Sequence, residues 1–260
     1  MSDITLNHIH YNQLNSMSWC ASAEIIPPSE PTLWPHVTDT LKPYRPLSSC
    51  HPPSKLNTLS WQYYHYESSL PLTPARASDR HLQQRIGVRL LLDALLKKLG
   101  ITDPLDDSAY PYRLVNSGYY ICFSHSGHSK LSNALAEHTP YDKVAVALSY
   151  SRSIGIDIEV QDISWKLVQR YYHPTEVTIL SSLDEKQRQV VSKLLWQIKE
   201  CFIKINQDTL AAGLGVPYLE LLDELIAIQA TNPLPHISFM KSHSDYQIVL
   251  LSPQKMVAVL

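Results

Sequence analysis

The segment Ile154-Gly155-Ile156-Asp157-Ile158-Glu159 sets isoleucine against glycine or acid at every second position. A run so short and so β-branched predicts a strand rather than a helix, with the isoleucines on one buried face. Asp157 and Glu159 then share the other face, because side chains two apart on a strand point the same way. Carboxylates that close repel each other unless a cation lies between them. Taken alone, the segment also reads as an Asp-x-Glu on a solvated edge strand.

A second stretch, Trp196-Gln197-Ile198-Lys199-Glu200-Cys201-Phe202-Ile203-Lys204, carries helical spacing. Glu200 and Lys204, at i and i+4, fall one above the other on a face that Trp196 joins a turn earlier. Alone, that pair reads as an ordinary surface Glu and Lys. Together, Asp157, Glu159 and Glu200 with an adjacent lysine suit a hard cation such as Mg²⁺ holding a phosphate. Mg²⁺ takes few carboxylates, keeps waters and shares phosphate oxygens.

Gly-Ile-Asp-x-Glu followed downstream by Trp-x-x-Lys-Glu-x-x-x-Lys is far more restrictive than either part. The order resembles the signature of the 4′-phosphopantetheinyl transferases, of the large pseudo-dimeric type that activates surfactin synthetase. Ser124-His125-Ser126, after the apolar run ending at Phe123, resembles a third motif of that family. The resemblance implies an α+β fold of two similar halves in a pseudo-twofold, each with a small, mainly antiparallel sheet packed on helices. It also implies coenzyme A and Mg²⁺ bound in the cleft between the halves. The implied activity is of the holo-acyl-carrier-protein synthase type. The 4′-phosphopantetheine arm moves from coenzyme A to a serine of an apo acyl or peptidyl carrier protein, releasing adenosine 3′,5′-bisphosphate.

On the same resemblance, Asp157, Glu159 and Glu200 hold Mg²⁺, and Glu200 takes the serine proton, directly or through a water. Lys204 faces the charge developing on the phosphates, with Lys199 beside it. His125, with Ser124, contacts a phosphate of coenzyme A. Arg89, just before Leu90-Leu91-Leu92, matches an arginine at the adenosine-phosphate end, and Arg85 is second to it; a guanidinium suits phosphate because its fork binds two oxygens. The family's Gly-Lys-Pro turn is absent from Tyr110-Pro111-Tyr112-Arg113-Leu114, where Arg113 supplies a cation instead.

The rest of the chain divides at 1–55, a Pro-rich and loop-rich segment with Trp19–Ala23 as a strand, at 56–152, an α/β half with the coenzyme A contacts, and at 153–260, an α/β half with the acids. Aromatics predict a strand over Leu59–Tyr66. A helix follows over about 75–99, stopped by Gly100 and bearing the basic stripe Arg76, Arg80, Arg85 and Arg89. Strands are expected at Tyr119–Phe123 and Val144–Tyr150, with Ser124–His128 in a polar loop and 127–143 as an inserted surface loop. Helices are expected over 164–171, over 175–183 with Pro174 in the first position, and over 184–205. From Pro217 onward the chain reads as antiparallel strands at Ile237–Phe239, Tyr246–Leu251 and Met256–Val259. Trp196 is expected to set the long helix against the acid-bearing strand.

Composition narrows the partners. The net charge is −2 with 18% charged residues, so no general basic field holds nucleic acid. The four cysteines show no Cys-x-x-Cys pairing, which argues against zinc and for reduced thiols. No segment suits export or a membrane span, so a cytoplasmic protein is expected, acting as a monomer. Any acidic carrier must be met by a local patch. Two other readings stay open: a Mg²⁺-dependent hydrolase or transferase on another nucleotide, and a carrier-protein- or nucleotide-binding homologue without turnover.

Overall fold

The computed structural model describes residues 4–26, 76–127, 142–230, 238–243 and 245–260. The chain begins with β1 (Thr5–Asn15) and β2 (Ser18–Ile26), paired as an antiparallel hairpin. This corrects the loop-rich expectation for the first part of 1–55. Every proline of that segment lies at Pro27 or later, so the hairpin contains none of the residues that break a ladder.

Helix α1 (Arg76–Leu99) follows, its buried Val88, Leu91, Leu92 and Leu95 spaced as one apolar face. Gly100 ends it at φ 69°, a left-handed conformation that glycine adopts without strain. β3 (Leu105–Asp106), β4 (Tyr112–Leu114), β5 (Tyr120–Ser126) and β6 (Asp142–Ser149) complete a six-stranded antiparallel sheet in the order β1-β2-β6-β5-β4-β3. Ser124, His125 and Ser126 therefore belong to a strand, not to the polar loop expected of them. Leu59–Tyr66 and nearly all of the 127–143 segment lie outside the described residues.

The acid-bearing segment is β7 (Gly155–Ile158), the edge of a second sheet. After it come α2 (Trp165–Tyr171), α3 (Pro174–Ser181) with Pro174 in its first turn, α4 (Glu185–Asn206), α5 (Leu210–Gly215) and α6 (Leu219–Ala230). β8 (Ser238–His243), β9 (Tyr246–Leu251) and β10 (Met256–Val259) then close a four-stranded sheet in the order β7-β10-β9-β8. Helix α6 falls where strands alone were expected. Its Leu221, Leu222 and Leu225 are buried at helical rather than alternating spacing.

The strands' two-residue period sorts their side chains into layers. Ala21, Ala23, Ile25, Val144, Val146 and Leu148 pack with α1. Their alternates Cys20, Ala145 and Ala147, with Cys122, meet Ile154, Ile156 and Ile158 and the inner residues of β9 and β10. The outer residues Ile248, Leu250, Val257 and Val259 join the core of α4 and α6. The order is thus helix, sheet, sheet, helices, an α+β architecture of antiparallel sheets packed on helices. Among the described residues, no helix is long and apolar enough to cross a membrane.

Candidate functional site

β7 turns its isoleucines toward the first sheet, which leaves Gly155 and Asp157 facing α4. The approach is close: a Cβ on Gly155 would lie 2.4 Å from the carbonyl oxygen of Cys201. Gln197 fastens the same junction, its buried amide donating to the carbonyls of Lys255 at 2.9 Å and Asp157 at 3.4 Å.

Lys204 extends from α4 into the gap. Its Nζ lies 3.0 Å from Asp157 Oδ1, 2.8 Å from the carbonyl of Ile156, 3.3 Å from Ser124 Oγ and 3.8 Å from Glu200 Oε2. Burial pulls its ammonium down, but Asp157, with Cys122 and Glu200 adding to it, outweighs burial and holds the group well above the ordinary lysine range. Glu200 shifts upward. Burial and the Asp157 charge raise its carboxyl, against Lys204 and a hydrogen bond from Trp196 Nε1 to Oε1 at 3.1 Å. Trp196 itself stacks on Tyr172 with ring centroids 6.3 Å apart. Its hydrogen bond also orients Glu200.

Glu159 follows β7 directly. Its Oε1 accepts from Ser126 Oγ at 2.7 Å and from the Gln161 amide at 2.8 Å. Ser124, buried, donates to Asp157 Oδ1 at 3.0 Å. His125, between the two serines, points to the opposite side of β5, where its ring meets His81 of α1 edge-on at 6.2 Å. Loss of hydration, then the Lys204 charge and His81, keep its imidazole below the ordinary value of 6.5.

Other expected contacts lie elsewhere. Lys199 is fully buried and does not face the acids: its Nζ pairs with Glu176 at 2.9 Å and donates to the carbonyls of Leu214 and Val216. Neighbours in a helix sequence point about 100° apart, so Lys199 leaves α4 on another side from Glu200. Arg89 is committed to Asp107 at 2.7 Å and lies over the Phe123 ring at 4.5 Å. Arg113 hydrogen-bonds the Tyr120 hydroxyl at 2.9 Å, at the far end of β5 from His125. That separation is about 16 Å along the strand.

Ser126 entered only as a letter of the Ser-His-Ser motif, with no role given, and His81, Gln197 and Glu176 were not singled out from the sequence. Ser126 had a signal, since it shares a strand face with Ser124. The others had none that letters alone convey. Cys201 is fully buried and its thiol is pushed well up by burial and Asp157, which leaves it inert.

Among the described residues, no three His, Cys, Asp or Glu side chains gather tightly enough to hold an ion alone. The donors nevertheless fit Mg²⁺, which is usually bound by one or two carboxylates together with substrate phosphates rather than by a protein cage. Asp157 and Glu159 each leave one oxygen without a hydrogen bond among the described residues.

Two antiparallel sheets, with Asp157 on an edge strand and Glu159 just past its end, a glutamate and a lysine on the helix over it, and a histidine-bearing strand alongside, bring ionisable groups together where the sheets adjoin. Comparison with known proteins adds a likeness: residues 153–251 match the family model of the 4′-phosphopantetheinyl transferase superfamily. Over 91 residues the chain is 34% identical to the 4′-phosphopantetheinyl transferase HetI of Nostoc sp., which covers 34% of this chain and 35% of that protein. The chain therefore spans about a third of the length of the curated relative it matches.

Proposed function

We propose that this protein transfers the 4′-phosphopantetheine arm of coenzyme A to a serine of an apo acyl or peptidyl carrier protein. The observation that carries this reading is the gathering of Asp157, Glu200 and Lys204 at one junction, inside the segment that matches the transferase superfamily. The serine oxygen forms a bond to the β-phosphorus as the pyrophosphate bridge breaks, and adenosine 3′,5′-bisphosphate leaves with the electron pair. Such a displacement needs neutralised phosphate charge, an in-line nucleophile and a base.

Glu200 is placed to take the serine proton, its carboxyl raised by burial and by the Asp157 charge. Trp196 holds its Oε1 and so leaves Oε2 available. Lys204, strongly cationic, meets the charge that develops on the phosphates. Asp157, Glu159 and Glu200 would hold Mg²⁺, which supplies charge neutralisation on the pyrophosphate. His125, beside His81, donates a hydrogen bond to a coenzyme A phosphate. Both catalytic elements come from one chain, so a monomer suffices.

The test is the intact mass of apo carrier proteins incubated with the enzyme, coenzyme A and Mg²⁺. A gain of one phosphopantetheine arm, absent in chelator, is expected. Asp157→Asn and Glu200→Gln should each cut the rate about 10³-fold while leaving the fold intact. No transfer to any carrier by folded protein overturns the reading.

A further inference from the structure

β7 is an edge strand with β10 on one side only, so its outward amides need partners from outside the sheet. β5 supplies them with side chains rather than backbone. The Ile158 amide donates to Ser124 Oγ at 3.1 Å, and the Val160 amide donates to Ser126 Oγ at 3.1 Å. At the preceding rung the Ile156 amide meets the Cys122 sulphur. Successive inward residues of β5 therefore ladder along successive outward amides of β7.

The two serine rungs do something the cysteine rung does not. Each hydroxyl, having accepted from an amide, donates its own hydrogen bond to the carboxylate one residue earlier in the chain: Ser124 to Asp157 Oδ1 at 3.0 Å and Ser126 to Glu159 Oε1 at 2.7 Å. The residue one before Ile156 is Gly155, so the cysteine rung has no acid to hold.

We infer that Ser124 and Ser126 are positioning residues for the acidic pair, not contacts of coenzyme A: each hydroxyl engages one carboxylate oxygen and turns the other toward a divalent cation. Both side chains are buried, with their hydroxyls used on both sides. The inference rests on the proposed function in taking a divalent cation as the ligand. Partners that orient metal-binding carboxylates affect metal affinity by about 10- to 100-fold when removed.

The probe is Mn²⁺ binding to the full chain by electron paramagnetic resonance, in the presence of coenzyme A, with amide hydrogen exchange on the metal-free protein. Ser124→Ala and Ser126→Ala should each weaken Mn²⁺ by about 10-fold or more. Ser→Thr at either site keeps the hydroxyl and should restore most of the affinity. Cys122→Ala breaks a rung without releasing an acid, so it should leave Mn²⁺ affinity within about twofold. In metal-free Ser→Ala protein the Ile158 or Val160 amide should exchange faster. If Ser124→Ala fails to fold, Ser126→Ala, nearer the end of the ladder, carries the test.

Unchanged Mn²⁺ affinity in the Ser→Ala variants, with a raised KM for coenzyme A, overturns the inference and makes the serines ligand contacts. Equal weakening by Cys122→Ala overturns it too, as general loosening of the sheet junction. Wild-type protein that binds no Mn²⁺ sinks the metal reading itself, and the positioning role with it; that outcome is distinct because the wild type, not the variants, fails.

Discussion

Lys199 and Lys204 both leave α4 for the protein interior, and each meets a carboxylate at about the same distance, 2.9 Å to Glu176 and 3.0 Å to Asp157. Around Lys199 everything is closed. Its side chain and that of Glu176 are 0% exposed, carbonyls at the end of α5 take further protons, and the rings of Tyr172 and Tyr218 lie about its ammonium at 4.9 and 5.0 Å. Lys204 keeps 22% of its side chain exposed and shares its charge among several oxygens, with Glu200 only at the margin. Burial pulls Lys199 down although Glu176 opposes it, whereas Asp157 overcomes burial at Lys204. One pair caps a helix and joins loops; the other leaves charge within reach of a ligand. Equal ion-pair distances conceal unequal roles, and what separates them is whether the remaining donors and acceptors are satisfied by the protein.

The comparison breaks most visibly at Lys199. Replacing it with methionine strands the Glu176 carboxylate and the end of α5, at a cost of about 3–5 kcal/mol, whereas replacing Lys199 and Glu176 together with apolar residues should cost less. Denaturant melts decide it, and a stable Lys199→Met protein with an impaired KM for coenzyme A would restore Lys199 to the site. Lys204→Met should invert the pattern. Turnover falls about 10²-fold, since a donor at developing charge is lost, while the melting temperature drops less than for Lys199→Met. A loss of stability as large as that of Lys199→Met would erase the distinction.

The smallest effect is a titration. The His125 imidazole is held below 6.5 by lost hydration first and by Lys204 next, so the folded protein binds its proton less readily than the unfolded chain does. Stability from this group is therefore present above 6.5 and lost as pH falls through the lowered value. Lys204→Met should move the His125 titration back toward 6.5, read by NMR, and shrink that loss. An unmoved titration would mean that Lys204 does not act on His125.

Much of the site was legible because its chemistry follows short periods. Asp157 on a strand with Glu159 just past its end, and Trp196, Glu200 and Lys204 on a helix, lie close to where spacing places them. The N-terminal hairpin was legible only in part: Trp19–Ala23 falls within β2, but β1 was missed because prolines at 27 and beyond were averaged over residues free of them. Helix α6 was hidden among apolar residues that suit either period over a short span. Lys199 was misread through adjacency: sitting next to Glu200 in sequence, it was given the same destination, although one helical step turns a side chain well away. Glu176 was illegible for a different reason, since a buried carboxylate is defined by a partner that folding alone delivers.

Gly155 bears on what kind of ion the junction could grip. β7 comes close to α4 where Gly155 faces the Cys201 carbonyl, with Asp157 two residues further along the strand and Glu200 next to Cys201 on the helix. The missing methyl thus acts as the gauge of the junction. A Gly155→Ala wedge would push strand and helix apart, and Mg²⁺ tolerates little change in oxygen distances near 2.0–2.1 Å, whereas a larger, less exacting ion such as Ca²⁺ bridges 2.3–2.6 Å. Ion preference would then be set by a residue that offers no ligand, through the spacing of the jaws that do.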